Sequence, residues 1–185
     1  MQFDLMKLFD GYVGNYHTFH LTVDHGKHSF TMTEIAYFSR LGSMLGYHAY
    51  TEDTCNGLNR PMDLTWWDGF DGTYWHDFIL HLERENYFKK DMETLEKLFC
   101  KRKFSPMHAI GILNVRNDQR IEKLLQHVKK MCNVPQAMLI FRTYSQESAK
   151  NFFDEVYAYV FHQKKCVATK KAYVSEVVGV LHMHE

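Results

Sequence analysis

Apolar residues along the chain switch between two periods. In 31–47, "TMTEIAYFSRLGSMLGY", Ile35, Phe38, Leu41 and Leu45 recur at helical spacing, which predicts a helix. Thr31 and Glu34 have the form of a capping box at its start, and Gly46 supplies a stop. The rhythm then shortens. Residues 47–53, 61–67 and 74–83 read as strands, separated by turn chemistry at "NGLNR" (56–60) and "DGFDG" (68–72). Pro61 is acceptable at a strand start. Three strands joined so closely predict an antiparallel meander.

Past residue 85 the helical period returns. Phe88, Met92, Leu95 and Phe99 mark a helix over about 88–103, and Ile121, Leu124, Leu125, Val128 and Cys132 mark another. The runs 107–113 ("MHAIGIL") and 136–141 ("QAMLIF") are continuously apolar. Apolar strands joined by amphipathic helices imply parallel pairing with both sheet faces covered. Of the remainder, 2–9 reads as a short helix and 172–181 as a strand. Residues 148–163 read as a helix, with a strand as the alternative. The order helix, three-strand meander, helix, strand, helix, strand makes an α/β protein with a mixed sheet. It is expected to form a single domain over 1–185, with a core at about 31–141 and a C-terminal extension at 142–185.

Composition narrows the class. Of 185 residues, 45% are hydrophobic and 24% charged, as in folded globular proteins. No run approaches the ~18 apolar residues of a membrane helix, and the N-terminus lacks a signal-peptide layout. The expectation is a cytoplasmic protein without a membrane partner. Cys55, Cys100, Cys132 and Cys166 are scattered, which suits reduced thiols better than a disulfide framework or a zinc knuckle. The histidines at 17–20, 24–28 and 182–184 have no zinc-finger spacing, so surface histidines are the expected reading. Charge is uneven. Residues 1–85 hold twelve acids and five Lys/Arg, a balance of −7, and residues 86–185 hold ten and seventeen, a balance of +7. Such asymmetry points to a polyanionic partner. Lys89, Lys90, Lys101, Arg102 and Lys103 are the candidate phosphate contacts, although "CKRK" equally serves to solvate a helix end. Trp66, Trp67 and Trp75 fit a core better than base-stacking platforms.

The chemistry concentrates in the meander. Glu83 and Glu85 stand at i and i+2 and therefore point the same way. In an antiparallel pair, Asp63 on the neighbouring strand comes within ~5 Å of a residue opposite. Converging carboxylates are costly unless a cation lies between them, and oxygen ligands suit Mg²⁺ or Mn²⁺.

The segments "GYHAYTED", "RPMDLTWWD" and "ILHLEREN", followed by a helix and "MHAIGIL", resemble the PD-(D/E)XK nuclease superfamily and its restriction-endonuclease-like fold. The resemblance covers roughly residues 31–113 and continues through the helix–strand unit at 114–141. It implies Glu34 as the acidic residue of the first helix, Asp63 as the first strand acid and Glu83 as the second. Met62 precedes Asp63 where the motif has a proline, and Glu85 stands at the lysine position, an E-x-E variant. Lys89 and Lys90 are candidates for the missing cation, and Arg84 is expected on the outer face. The implied activity is Mg²⁺- or Mn²⁺-dependent hydrolysis of phosphodiester bonds, in DNA first. Asp63, Glu83 and Glu85 would hold the metal, and Glu85 could also accept the proton of the attacking water. A dimer or a partner would supply specificity. The alternatives are a nuclease-derived binding or regulatory protein without catalysis, and a structural protein with a charged surface. Glu34 as a helix cap, and Glu83 and Glu85 as a solvated strand end, are the corresponding plainer readings.

Overall fold

The computed structural model describes residues 3–54, 60–101, 104–143 and 153–185. Two helices open the chain, α1 (Leu5–Asn15) and α2 (Lys27–Met44), joined through a 3₁₀ turn at Tyr16–Phe19. Strands β1 (His48–Asp53), β2 (Met62–Phe70) and β3 (Trp75–Glu85) follow. Next come α3 (Asp91–Phe99), β4 (His108–Asn114), α4 (Asp118–Met131) and β5 (Gln136–Thr143). The chain ends with β6 (Glu155–His162), β7 (Lys165–Val177) and β8 (Val180–His184).

The eight strands of the described residues form one sheet in chain order. β1–β2–β3 is the predicted antiparallel meander, β3–β4–β5 is parallel, and β5 through β8 are antiparallel. The mixed α/β architecture is therefore as the periodicity implied. Residues 155–162 take the strand alternative instead of the helix, because they pair along β5 from Gln136 to Thr143. Residues 148–152 of that segment lie outside the described residues. Among the described residues no helix is long and apolar enough to cross a membrane.

Two local expectations change. α2 begins one turn before Thr31, at Lys27, so Thr31–Glu34 is not a capping box. Thr31 Oγ1 instead donates to Lys27 O within the helix, at 3.3 Å. The added turn buries Phe30 at 8% exposure, a gain that a start at Thr31 forgoes. Gly46 does end the helix, at φ +90°, where a side chain would be strained. The "DGFDG" turn shifts to 71–74, where Asp71 Oδ1 accepts from the Thr73 and Tyr74 amides at 2.8 Å, and β2 runs on to Phe70.

The sheet separates two cores. α1 and α2 cover one face, packing Phe9, Tyr12, Ile35 and Phe38 with Leu64, Trp66, Leu80, Leu82, Ile110 and Ile140. α3 and α4 cover the other, packing Leu95, Leu98, Leu124 and Val128 with Ala109, Leu113, Leu139 and Phe141. Being covered on both sides is why β4 and β5 read as unbroken apolar runs.

Close approach at two points depends on glycine. A Cβ on Gly42 would lie 2.5 Å from Trp66 Nε1, and one on Gly111 would lie 2.8 Å from Leu139 Cδ2 and 3.3 Å from Leu98 Cδ2. Alanine at a mid-helix glycine ordinarily stabilises by up to ~1 kcal/mol. Gly42→Ala should reverse that sign, because the Trp66 ring is fully buried and cannot retreat. A destabilisation of about 1–3 kcal/mol in urea unfolding is expected. A Gly42→Ala protein as stable as wild type would mean that α2 does not press on Trp66 in solution.

Candidate functional site

β3 carries ionisable side chains to both faces of the sheet. Leu80, Leu82 and Arg84 point towards α1 and α2, and His81, Glu83 and Glu85 point the other way, as strand alternation requires. In β2, Leu64 pairs with Leu82 and Thr65 with His81. One step further brings Asp63 level with Glu83.

The two carboxylates share one cation. Lys97 of α3 places Nζ 2.6 Å from Glu83 Oε2 and 3.7 Å from Asp63 Oδ1. Gly111 pairs with Glu83 across β3–β4, and its missing Cβ lets Leu98 sit against the strand. That contact holds the adjacent Lys97 within reach. Asp63 Oδ2 also accepts from the Arg84 amide at 2.7 Å. On its other side Glu83 Oε1 lies 2.5 Å from His81 Nε2, which donates whenever Glu83 is ionised. Glu83 and His81 are buried, and Asp63 keeps 23% of its side chain exposed, so the pair opens to solvent at Asp63. Glu85 sits half-buried at the strand end and accepts from the Tyr87 amide at 2.7 Å.

Burial, then the neighbouring Glu83 carboxylate, pushes Asp63 up from 3.8 to about 6, against the lowering effects of the Arg84 amide and Lys97. The two carboxylates repel each other, and a divalent cation between them would relieve that repulsion. Among the described residues, no group of three or more His, Cys, Asp or Glu is arranged to hold a metal ion. Two carboxylate oxygens beside a solvent opening do suit Mg²⁺, which takes one or two carboxylates and fills its remaining positions with water and phosphate. Asp63 and Glu83 would be the ligands.

Glu34 lies elsewhere. It is fully buried on the opposite face, where its Oε2 accepts from Arg84 Nε and its Oε1 from Arg142 and, at 2.8 Å, from the Tyr12 hydroxyl. The structure thus keeps Glu34 apart from Asp63 and Glu83, in a position that pairs buried arginines. Arg84 is accordingly not an outer-face residue. It is 6% exposed, and Nη1 also donates to the Glu85 and Ile112 carbonyls at 2.7 and 3.4 Å.

Lys89 and Lys90 do not supply the cation for the pair. They are exposed in the turn before α3, and Lys101 is exposed just after that helix. Arg102 and Lys103 lie outside the described residues. Lys97 is a residue that sequence reasoning missed. Its only signal is its place beside Leu98 at the edge of the buried stripe of α3, where a lysine stem can cover apolar surface and direct its ammonium sideways. His81 was missed as well, although it shares a strand face with Glu83. Asp53 is a further buried acid on this face of the meander, accepting from Thr65 Oγ1 and, at 2.7 Å, from Trp67 Nε1. Comparison of the chain with protein-family models, curated proteins and solved structures gives no match.

Two measurements separate the roles of the acids. Glu34→Gln leaves two buried arginines short of their counter-charge and should cost about 3–5 kcal/mol of stability, read by denaturant unfolding. A loss under 1 kcal/mol would contradict a structural role for Glu34. Asp63 behaves in the opposite way. Its folded pKa lies above the unfolded value, so its ionised form opposes folding. That penalty is absent below about pH 4 and grows as pH rises, reaching at most ~3 kcal/mol above pH 6. Asp63→Asn should therefore raise Tm at pH 8 and leave it unchanged near pH 4. A lowered Tm at pH 8 would refute the penalty on ionised Asp63.

Proposed function

We propose that the protein is a divalent-metal-dependent nuclease of the PD-(D/E)XK superfamily, with a restriction-endonuclease-like fold, that hydrolyses phosphodiester bonds, in DNA first. The observation that carries this reading is the Asp63–Glu83 pair, level on adjacent strands, with Lys97 from the following helix reaching both carboxylates. Lys97 supplies from α3 the cation that the E-x-E variant lacks on β3. The mixed sheet, with helices before and after the meander, supports the same reading.

Asp63 and Glu83 would hold a Mg²⁺ or Mn²⁺ ion, which would supply Lewis acidity at the scissile phosphate. The chain's own groups do the rest. His81 donates to Glu83 and keeps that carboxylate oriented. The Arg84 amide fixes Asp63. The Lys97 ammonium donates to a non-bridging phosphate oxygen as charge builds there. Glu85, held by the Tyr87 amide, accepts the proton of the water that attacks phosphorus. As the new P–O bond forms the old one breaks, and the departing alkoxide takes a proton from solvent.

One observation favours the alternative, a nuclease-derived binding protein without catalysis. Lys97 already neutralises Glu83 at 2.6 Å, so the pair can persist without any metal. Plasmid nicking in Mn²⁺ decides between the two. Wild type should cut, and chelator should stop it. Asp63→Asn and Lys97→Met should each lose ~10²-fold or more, and Glu85→Gln should lose a comparable factor if it is the base. Wild-type protein that cuts no form of DNA or RNA would hand the site to the non-catalytic reading.

A further inference from the structure

The parallel strands β3 and β4 end at Glu85 and Asn114, and ligands of open α/β sheets bind beyond such ends. At this edge lies a recess of about 240 Å³ lined by Phe88, Arg116, Asn117, Gln119, Arg120 and Lys123. It contains three cationic side chains and no carboxylate. Arg120 commits its guanidinium to Asp91, at 2.6 and 2.7 Å. Arg116 and Lys123 are exposed.

Two large aromatic side chains stand in the open beside the recess. Tyr87 is 58% exposed and Phe88 39%. A cation lies over each ring, Lys27 Nζ at 4.7 Å from the Tyr87 centroid and the Arg116 guanidinium at 4.7 Å from that of Phe88. The segment bearing them is anchored. Asn86 donates to Lys27 O at 2.9 Å, bonds to Thr31 Oγ1, and accepts from Asn114 Nδ2 at 3.5 Å. Glu85 of the candidate site accepts from the Tyr87 amide, so the aromatic platform and the acidic end of β3 are one continuous surface.

An isolated exposed aromatic ring needs no explanation, and a solvated basic turn is common. Adjacent exposed rings on an anchored loop, interleaved with cations around a carboxylate-free recess, combine the two parts of a single-strand binding surface. Those parts are faces for stacking bases and charges for the backbone. A duplex keeps its bases stacked on one another and cannot use the rings. We propose that this edge binds an unpaired nucleic-acid strand, with one base on Phe88, the next on Tyr87, and phosphates on Arg116 and Lys123. The inference rests on the nuclease reading of the neighbouring carboxylates and deepens it, because it gives the substrate's form as single-stranded or locally unpaired.

The test is fluorescence anisotropy in EDTA, so that binding is read without cleavage, using the full chain with a short labelled single strand and the same sequence as a duplex. The single strand should bind more tightly. Phe88→Ala should weaken single-strand binding about fivefold or more and leave duplex binding unchanged. Arg116→Gln and Lys123→Gln should each reduce the slope of log affinity against log salt by about 0.7. Lys129→Gln, in the last turn of α4, should change nothing. All four side chains are exposed or near the surface, and an unaltered Tm checks that each variant is folded. Tighter binding of the duplex, no binding at low salt, or single-strand binding indifferent to Phe88, Arg116 and Lys123 would each overturn the inference. If binding follows these residues but wild type cuts nothing in Mn²⁺, the inference stands and the hydrolytic reading falls.

Discussion

Buried charge on β3 must find a partner, and that requirement organises the molecule. Glu83 and Arg84 are neighbours in sequence, both are under 9% exposed, and alternation sends them into opposite cores. Neither core can hold an isolated ion, since the desolvation penalty is several kcal/mol per charge. Arg84 is therefore met by Glu34 from α2, and Glu83 by Lys97 from α3. The two helices lie on opposite faces of one strand, and these pairs fix where each must sit along it. Apolar packing presses α2 and α3 onto the sheet. The ion pairs choose the register at which they come to rest.

The two networks differ in how completely they close. Around Glu34, two arginines and the Tyr12 hydroxyl surround one carboxylate, sealed from solvent, and Arg142 also stacks on Phe153 at 4.4 Å. The side chains of Glu34, Arg84, Arg142 and Tyr12 are all buried. Around Glu83 the sealing is partial. Asp63 retains contact with solvent, and burial together with the neighbouring Glu83 carboxylate raises its pKa. Under the proposed reading, a cation that relieved this repulsion would recover the energy. The same logic gives a physical reason to place function on the α3 face and structure on the α2 face, although both hold conspicuous acids.

The edge beyond β3 and β4 extends this asymmetry. Glu85, Tyr87, Phe88 and Arg116 follow one another around the strand ends. Acidic pair, aromatic rings and basic recess thus share one end of the sheet.

Much of the architecture was legible in local pattern. Alternation and turn residues marked β1 to β3, unbroken apolar runs marked β4 and β5, and helical spacing marked α3 and α4. These signals survive because each reflects which faces of an element are buried, and that is written into its own residues. Asp63 and Glu83 could be brought together from sequence for the same reason, since short connections leave an antiparallel meander few registers. What the sequence left open was every choice made at a distance. The segment 155–162 became a strand only because β5 offered an unpaired edge, and α2 gained a turn because Phe30 had a core to enter. Glu34 has the motif's position but answers to Arg84 and Arg142, and Arg142 is 108 residues away from it. Lys97 answers to Glu83 because Gly111, on a third element, leaves room for Leu98. Periodicity records whether a side chain is buried. It carries no record of which charge, from which element, will be waiting there, because that depends on how whole helices settle against the finished sheet.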